Sequence, residues 1–114
     1  MIDIKNSGYY PLDRFYLDMY APSHPGVYTL SVRAEGRGFR TIFTGQSENL
    51  YRTLRAFVRK DPSITPGLLI DRLEENECFF SFLVIMEKEY RNEVEKMLTF
   101  TADPVSKLKI VAYT

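Results

Sequence analysis

The first hydrophobic pattern along the chain has the spacing of an amphipathic helix. Pro11 suits the first position of a helix, where its missing N–H is not needed. Large apolar side chains then recur every three to four residues, at Leu12, Phe15, Tyr16, Met19 and Tyr20. This periodicity predicts that one face of the helix packs on a core. Pro22 and Pro25 are expected to end the helix before the next element.

A β-hairpin is predicted next. Apolar and polar residues alternate from Val27 to Arg33, and a second β-prone segment runs from Phe39 to Thr44. The turn between them, Ala34 to Gly38, contains two glycines, which is typical of a tight hairpin connection. We therefore expect the two strands to be antiparallel neighbours, with Gly45 ending the second.

The rest of the chain alternates between helical and strand patterns. Ser47 is a plausible N-cap for a helix whose apolar stripe comprises Leu50, Leu54, Phe57 and Val58, and Asp61-Pro62 should stop it. The further predictions are a helix from Pro66 to Glu75, a strand from Phe79 to Ile85, a helix from Lys88 to about Phe100 with Tyr90, Val94, Met97 and Leu98 inward, and a short strand from Leu108 to Tyr113.

The order α-β-β-α-α-β-α-β predicts an α/β fold with a small mixed or antiparallel sheet flanked by helices. The sheet has three strands, or four if the last segment joins it. With 114 residues, of which 45% are hydrophobic, the chain has the size and the apolar content of one domain covering 1–114.

The composition of the chain limits the metal sites, disulfides and partners that can be expected. His24 is the only histidine and Cys78 the only cysteine, which excludes a multi-histidine metal site and an internal disulfide; Cys78 is expected to be buried in a strand. No apolar run reaches the length of a membrane span and no signal core begins the chain, so we expect a cytoplasmic protein without a membrane partner. Fifteen basic residues balance fifteen acidic ones, so net charge gives no support to a DNA partner.

The junctions of the hairpin carry a more specific signal. The first strand opens with Pro25-Gly26-Val27-Tyr28, the second closes with Phe43-Thr44-Gly45-Gln46-Ser47, and Asn49-Leu50 begins the helix. Further on, Glu95 stands nine residues before Pro104, which ends the last predicted helix. In this order and context the motifs resemble the GIY-YIG nuclease family. The resemblance covers about 25–107, and 1–24 form an N-terminal helical extension.

The resemblance implies a role for each matching residue. Tyr28 would help to activate water, and Glu95 would bind a divalent metal, Mg²⁺ being the only cofactor expected; Glu93 is the alternative ligand if the register differs by two. Gly26, Gly45 and Asn49 are structural parts of the motifs, and Gly45 is expected to serve a tight passage from strand to helix.

Two positions depart from the family pattern. Phe43 replaces the tyrosine of the second motif and lacks its hydroxyl, and Thr53 stands where an arginine would stabilise phosphoryl charge. Helix geometry places Arg52 and Arg55 on the side opposite to Leu54.

Arginines on the hairpin and the following helix remain as a candidate nucleic-acid surface, unless they serve solubility alone: Arg40, Arg52, Arg55 and Arg59.

Three functions remain open at this stage. The first is a degenerate GIY-YIG-like domain with weak or no phosphodiester hydrolysis, retained for nucleic-acid binding or assembly. The second is an active Mg²⁺-dependent DNA endonuclease in which another arginine replaces the missing one. The third is a structural or protein-interaction domain without a nucleic-acid partner.

Overall fold

The computed structural model of the chain describes residues 8–33, 38–63 and 65–101. The elements within these ranges are, in chain order, β1 (Tyr10–Pro11), α1 (Arg14–Tyr20), β2 (Gly26–Arg33), β3 (Phe39–Ser47), α2 (Leu50–Val58), α3 (Gly67–Glu75), β4 (Cys78–Val84) and α4 (Lys88–Thr101). The predicted strand Leu108 to Tyr113, the turn residues Ala34 to Arg37 and Pro104 lie outside the described residues.

The strands form one antiparallel sheet in the order β1-β4-β2-β3. The predicted hairpin is confirmed: β2 pairs with β3 from Gly26 opposite Ser47 to Arg33 opposite Phe39, with one irregularity after Leu30. On its other side, β2 pairs with β4. The chain is thus an α/β domain with an antiparallel sheet.

The end of β3 differs from the prediction. Gly45 does not end the strand, because it pairs with Tyr28 and the ladder continues to Ser47. The N-cap of α2 is Asn49 rather than Ser47: Asn49 Oδ1 accepts a hydrogen bond of 3.0 Å from the Arg52 amide. Ser47 instead holds the N-cap residue itself, since its Oγ accepts a 2.9 Å hydrogen bond from the Asn49 amide.

The N-terminal segment contributes a strand that the periodicity did not predict. Pro11 does not begin a helix; it lies in β1 opposite Phe79. Asp13 is the N-cap of α1, and its carboxylate accepts a 2.9 Å hydrogen bond from the Tyr16 amide. Proline is tolerated in β1 because this strand lies at an edge of the sheet.

Helices cover both faces of the sheet. Leu17 of α1, Leu54 of α2 and Leu69 of α3 belong to one buried cluster together with Leu30 and Phe80 of the sheet. The opposite cluster is smaller and contains Val27, Ile85 and Val94 of α4. Because neighbouring strand residues point to opposite faces, Val27 and Tyr28 belong to different clusters.

The buried faces of the first and last helices were predicted only in part, and on the last helix Val94 and Leu98 pack inward as predicted. The buried residue of α1 is Leu17, whereas Phe15 and Met19 are 65% and 59% exposed. In α4, Val94 is buried as predicted, but Tyr90 and Met97 are 44% and 63% exposed. On both helices, the face that packs on the sheet is therefore not the face that carries the most hydrophobic residues.

Cys78 is buried at the start of β4, as predicted, and burial raises the pKa of its thiol to about 11. No helix in the described part of the chain has the length and apolar character needed to span a membrane.

Candidate functional site

Tyr28 and Gly45 lie against each other near the open end of the β2–β3 hairpin. They are direct partners across the ladder, and a Cβ built on Gly45 would collide with the Tyr28 hydroxyl. The Tyr28 side chain is 5% exposed, and its ring centroid lies 5.5 Å from that of Phe57 and 6.4 Å from that of Phe43. Gly45 is therefore required by the close approach of a side chain, not by a tight passage from strand to helix as predicted.

Gly26 meets a similar constraint at the start of the same strand. A side chain on Gly26 would collide with the carbonyl oxygen of Leu83 and with the side chain of Leu50. The glycine of the first motif thus allows α2 to approach the central strands closely.

Glu95 reaches the site from α4. It lies on the face of α4 that meets the sheet, because Arg91, Val94, Glu95 and Leu98 recur at helical spacing and all are at least half-buried. Glu95 accepts a hydrogen bond from Gln46 of β3, while its Oε2 is inaccessible and has no hydrogen-bond partner. Burial raises the pKa of the Glu95 carboxyl, and the bond from Gln46 opposes that shift. Glu93, the alternative ligand, is exposed.

Tyr28 and Glu95 interact electrostatically. Burial, and secondly the negative charge of Glu95, raise the pKa of the Tyr28 phenol well above its usual value near 10. The phenol is therefore protonated at neutral pH. In that form it can hold a water molecule or a phosphate oxygen by hydrogen bonding, but it cannot serve as a phenolate base without first losing its proton.

The hydroxyl of Thr53 stands where the resemblance places a guanidinium. Thr53 Oγ1 lies 2.6 Å from Ser47 Oγ, so each hydroxyl already has a partner. Phe43, the other substituted position, packs against the main core cluster beside Phe57. The site therefore lacks a positive charge from α2 and a phenol from β3.

The N-terminus of α2 also has no unpaired amide at its first positions. The amide of Leu50 donates to the His24 carbonyl at 3.0 Å, and that of Tyr51 donates to the Pro22 carbonyl at 3.1 Å. The next two amides are satisfied by Asn49, through its side chain and its carbonyl. An anion at this end of the helix must therefore be bound by side chains.

The four arginines proposed for nucleic-acid binding are not equivalent. Arg40, Arg52 and Arg59 are exposed. Arg55 is half-buried and donates a 2.8 Å hydrogen bond to the Tyr51 hydroxyl. Across the described ranges, none of the four is in a salt bridge.

Three polar residues of the site were missed by sequence reasoning. Gln46 Nε2 donates to Asn92 Oδ1 at 2.5 Å, which ties β3 to α4. Arg91 is 2% exposed and donates to the carbonyls of Ile85 and Met86 and to Glu48. Helical spacing could have identified Arg91 as an inward residue, because it stands three residues before Val94 and four before Glu95. The adjacent Tyr90 was instead predicted to lie on the inward face.

The described residues contain no group of three or more His, Cys, Asp or Glu side chains that is placed to bind a metal ion. At the candidate site the donor is the unpartnered Oε2 of Glu95. Mg²⁺ commonly keeps several waters and uses one or two carboxylates together with substrate phosphates. This donor set therefore fits an ion that is held jointly with a phosphate.

Comparison of the chain with protein-family models, with curated proteins and with solved structures found no match. The resemblance to the GIY-YIG family therefore rests on the motifs in the sequence alone.

Proposed function

We propose that this chain is a degenerate GIY-YIG-like domain that binds the phosphodiester backbone of nucleic acid and hydrolyses it slowly or not at all. The observation that carries the proposal is that Tyr28 packs directly against Gly45, while the negative charge of Glu95, which is hydrogen-bonded to the next residue Gln46, acts on the Tyr28 phenol. These residues belong to three separated motifs, and a shared site is what the resemblance requires of them.

Each remaining group has a chemical use toward a phosphate. The protonated phenol of Tyr28 can donate to a phosphate oxygen, and Glu95 would hold Mg²⁺ together with a phosphate of the nucleic acid. Bound Mg²⁺ would supply positive charge to the phosphate oxygens. The Ser47 and Thr53 hydroxyls add hydrogen bonds but no charge.

The missing groups limit catalysis. A phosphoryl transition state requires fixed positive charge, and the planar fork of an arginine matches phosphate oxygens well. Loss of one preorganised donor typically costs ~10²–10³ in rate, and Thr53 removes a formal charge as well. Phe43 removes a further hydroxyl, although the two losses need not add.

Binding survives the same substitutions because it depends on a different surface. Arg40, Arg52 and Arg59 are exposed and form no salt bridge with another described residue, so they are available to phosphates. Because the net charge of the chain is zero, we expect modest affinity with a clear dependence on salt.

The test is the anisotropy of a short labelled DNA duplex, measured with the protein over a range of NaCl concentrations. We expect the logarithm of the binding constant to fall linearly with that of salt, and the triple variant Arg40→Gln, Arg52→Gln, Arg59→Gln to lower the slope by about 0.9 for each phosphate contact that is lost. Arg14→Gln is the control for the loss of one positive charge, since Arg14 lies on α1 and already pairs with Asp18 at 3.8 Å. The absence of salt-dependent binding at low ionic strength would contradict the proposal.

One observation favours the interaction-domain alternative. Phe15, Met19, Met86 and Met97 are apolar side chains with 59–65% of their surface exposed. Exposed apolar surface of this kind is found at protein-interaction sites. If the DNA experiment fails, protein interaction becomes the better supported function.

A further inference from the structure

An almost fully buried arginine joins the ends of two strands beside the candidate site. Arg91 Nη1 donates to the carbonyls of Ile85 at 3.1 Å and Met86 at 2.9 Å, just after β4. Arg91 Nη2 lies 2.7 Å from Glu48 Oε1, just after β3. The guanidinium thus spans the end of the sheet, where Val84, Gly26 and Ser47 lie side by side.

The two members of this ion pair have very different surroundings. The Arg91 side chain is 3% exposed, and its Nε is inaccessible with no hydrogen-bond partner, whereas the Glu48 side chain is 77% exposed. An ion pair whose carboxylate remains exposed to solvent contributes little to stability. Glu48 can therefore leave the guanidinium at small cost, while Arg91 stays fixed by the two carbonyls.

The ion pair is next in the chain to the hydroxyl pair of Ser47 and Thr53, and Thr53 is the residue that stands in place of the expected arginine. Glu48 directly follows Ser47, whose hydroxyl bonds to Thr53. The neighbouring Gln46–Asn92 hydrogen bond holds the same turn of α4 on β3. A carboxylate and a phosphate present similar oxygen acceptors to a guanidinium, so the place occupied by Glu48 suits a phosphate.

We propose that Arg91 supplies the fixed positive charge of this site and that Glu48 occupies its Nη2 until a phosphate oxygen of nucleic acid displaces it. This inference rests on the proposed function, and it assigns the phosphate-binding charge to α4 instead of α2. Glu48 then acts as an internal competitor that lowers affinity for nucleic acid.

The first test compares Glu48→Gln with Glu89→Gln in the anisotropy experiment. Both variants remove one negative charge, but Glu89 is an exposed residue of α4 with no salt bridge to any described residue. We expect Glu48→Gln to bind the duplex roughly 3- to 10-fold more tightly than wild type, because a charge-assisted bond no longer has to be broken. Glu89→Gln should bind within about twofold of wild type, as expected for a screened surface charge.

The second test asks whether the gain depends on the guanidinium. Arg91→Lys keeps the charge, but its single ammonium nitrogen cannot occupy both the Nη1 position that holds the two carbonyls and the Nη2 position that faces Glu48. Adding Arg91→Lys to Glu48→Gln should abolish the gain, with circular dichroism used to verify folding. If the lysine variants fail to fold, the Nε–Hε resonance of Arg91 in the folded Glu48→Gln protein is followed by NMR while duplex is added, and it should shift at the concentrations that saturate anisotropy.

The outcomes separate the two proposals. If wild type binds DNA and Glu48→Gln gains no more than Glu89→Gln, or if the Arg91 resonance does not move, the inference is wrong and the proposed function stands. If no protein in the series binds DNA with salt dependence, both are wrong.

Discussion

The hydroxyl of Tyr28 occupies the space in which a side chain on Gly45 would begin. The two residues are direct partners on adjacent strands, so this contact brings a buried phenol from the middle of the sheet to the backbone of its edge strand, β3. The candidate site is built on this contact, with Glu95 approaching from α4.

The contact predicts the effect of adding one methyl group. Gly45→Ala should destabilise the fold by about 1–3 kcal/mol, as overpacking of a filled interior commonly does. Urea unfolding measures the change. In a Tyr28→Phe background the cost should be smaller but not zero, because the ring carbon Cζ lies 2.7 Å from the position that the methyl carbon would take.

Gly67→Ala is the control for that substitution. Nothing lies within 4 Å of a methyl group at Gly67, at the start of α3. We expect Gly67→Ala to be neutral or stabilising by up to about 1 kcal/mol, because alanine restricts the unfolded chain. Equal destabilisation by both alanines would show that the Tyr28–Gly45 contact has no special cost.

The raised pKa of Glu95 predicts a dependence of stability on pH. Burial raises the folded-state pKa above the unfolded value near 4.5, so the folded protein binds the proton more tightly. The resulting stabilisation is fully present below the unfolded pKa and is lost as pH rises through the folded pKa. Glu95→Gln, which cannot ionise, should therefore be more stable than wild type at neutral pH, by about 0.5–2 kcal/mol, the usual size of a single stabilising substitution.

Urea unfolding at neutral pH and at about pH 4 checks this sign. The advantage of Glu95→Gln should shrink at the lower pH, where wild-type Glu95 is also neutral. Glu93→Gln, an exposed position two residues earlier, should show no such difference. An advantage of Glu95→Gln that grows toward low pH would mean that the carboxylate is stabilised, not destabilised, by its surroundings.

Lys60 predicts a stabilising substitution outside the site. It follows α2 with φ of 54°, and the amides of Lys60 and Asp61 donate to Phe57 and Ala56 in the pattern of a Schellman motif. Glycine is the usual residue there, since the left-handed conformation costs other residues roughly 1–2 kcal/mol. Lys60→Gly should raise stability by about 0.5–1 kcal/mol after the entropy of glycine is counted.

Lys60→Ala distinguishes the effect of the backbone conformation on stability from the effect of the lysine side chain. Alanine removes the ammonium but keeps the strained conformation, so it should not reproduce the gain of Lys60→Gly. If both variants stabilise equally, the lysine side chain and not its φ angle is the cause.

The sequence predicted the elements whose determinants are local. The turn of two glycines between β-prone segments was enough to predict the β2–β3 pairing, and motif order was enough to single out Tyr28 and Glu95 as candidates. β1 was missed because two residues have no periodicity, and its pairing with β4 depends on tertiary structure.

The inward faces of two helices could not be predicted from hydrophobicity alone. On α1, the ring of Tyr20 stacks on Tyr10 with centroids 4.2 Å apart, so an aromatic residue is used at the surface and Leu17 fills the core. On α4, Arg91 takes an inward position because the carbonyls after β4 satisfy its guanidinium. Hydrogen bonds that satisfy a buried polar group in this way come from other segments of the chain, so they produce no periodic pattern in the helix sequence.

The lost groups at Phe43 and Thr53 define the matched variants for a test of catalysis. Phe43→Tyr with Thr53→Arg restores both the phenol and the guanidinium of the family pattern. Phe43→Tyr with Thr53→Lys is the control, since it restores charge without the planar fork. Glu95→Ala removes the carboxylate donor of the site and sets the background.

Nicking of supercoiled plasmid in the presence of Mg²⁺ tests the central claim most directly. We expect wild type to nick no faster than Glu95→Ala, and the Phe43→Tyr, Thr53→Arg variant to gain activity that the lysine control lacks, because a fixed bidentate donor is typically worth ~10²–10³ in rate. Rapid Mg²⁺-dependent nicking by wild type that Glu95→Ala abolishes would contradict a degenerate site and establish an active endonuclease.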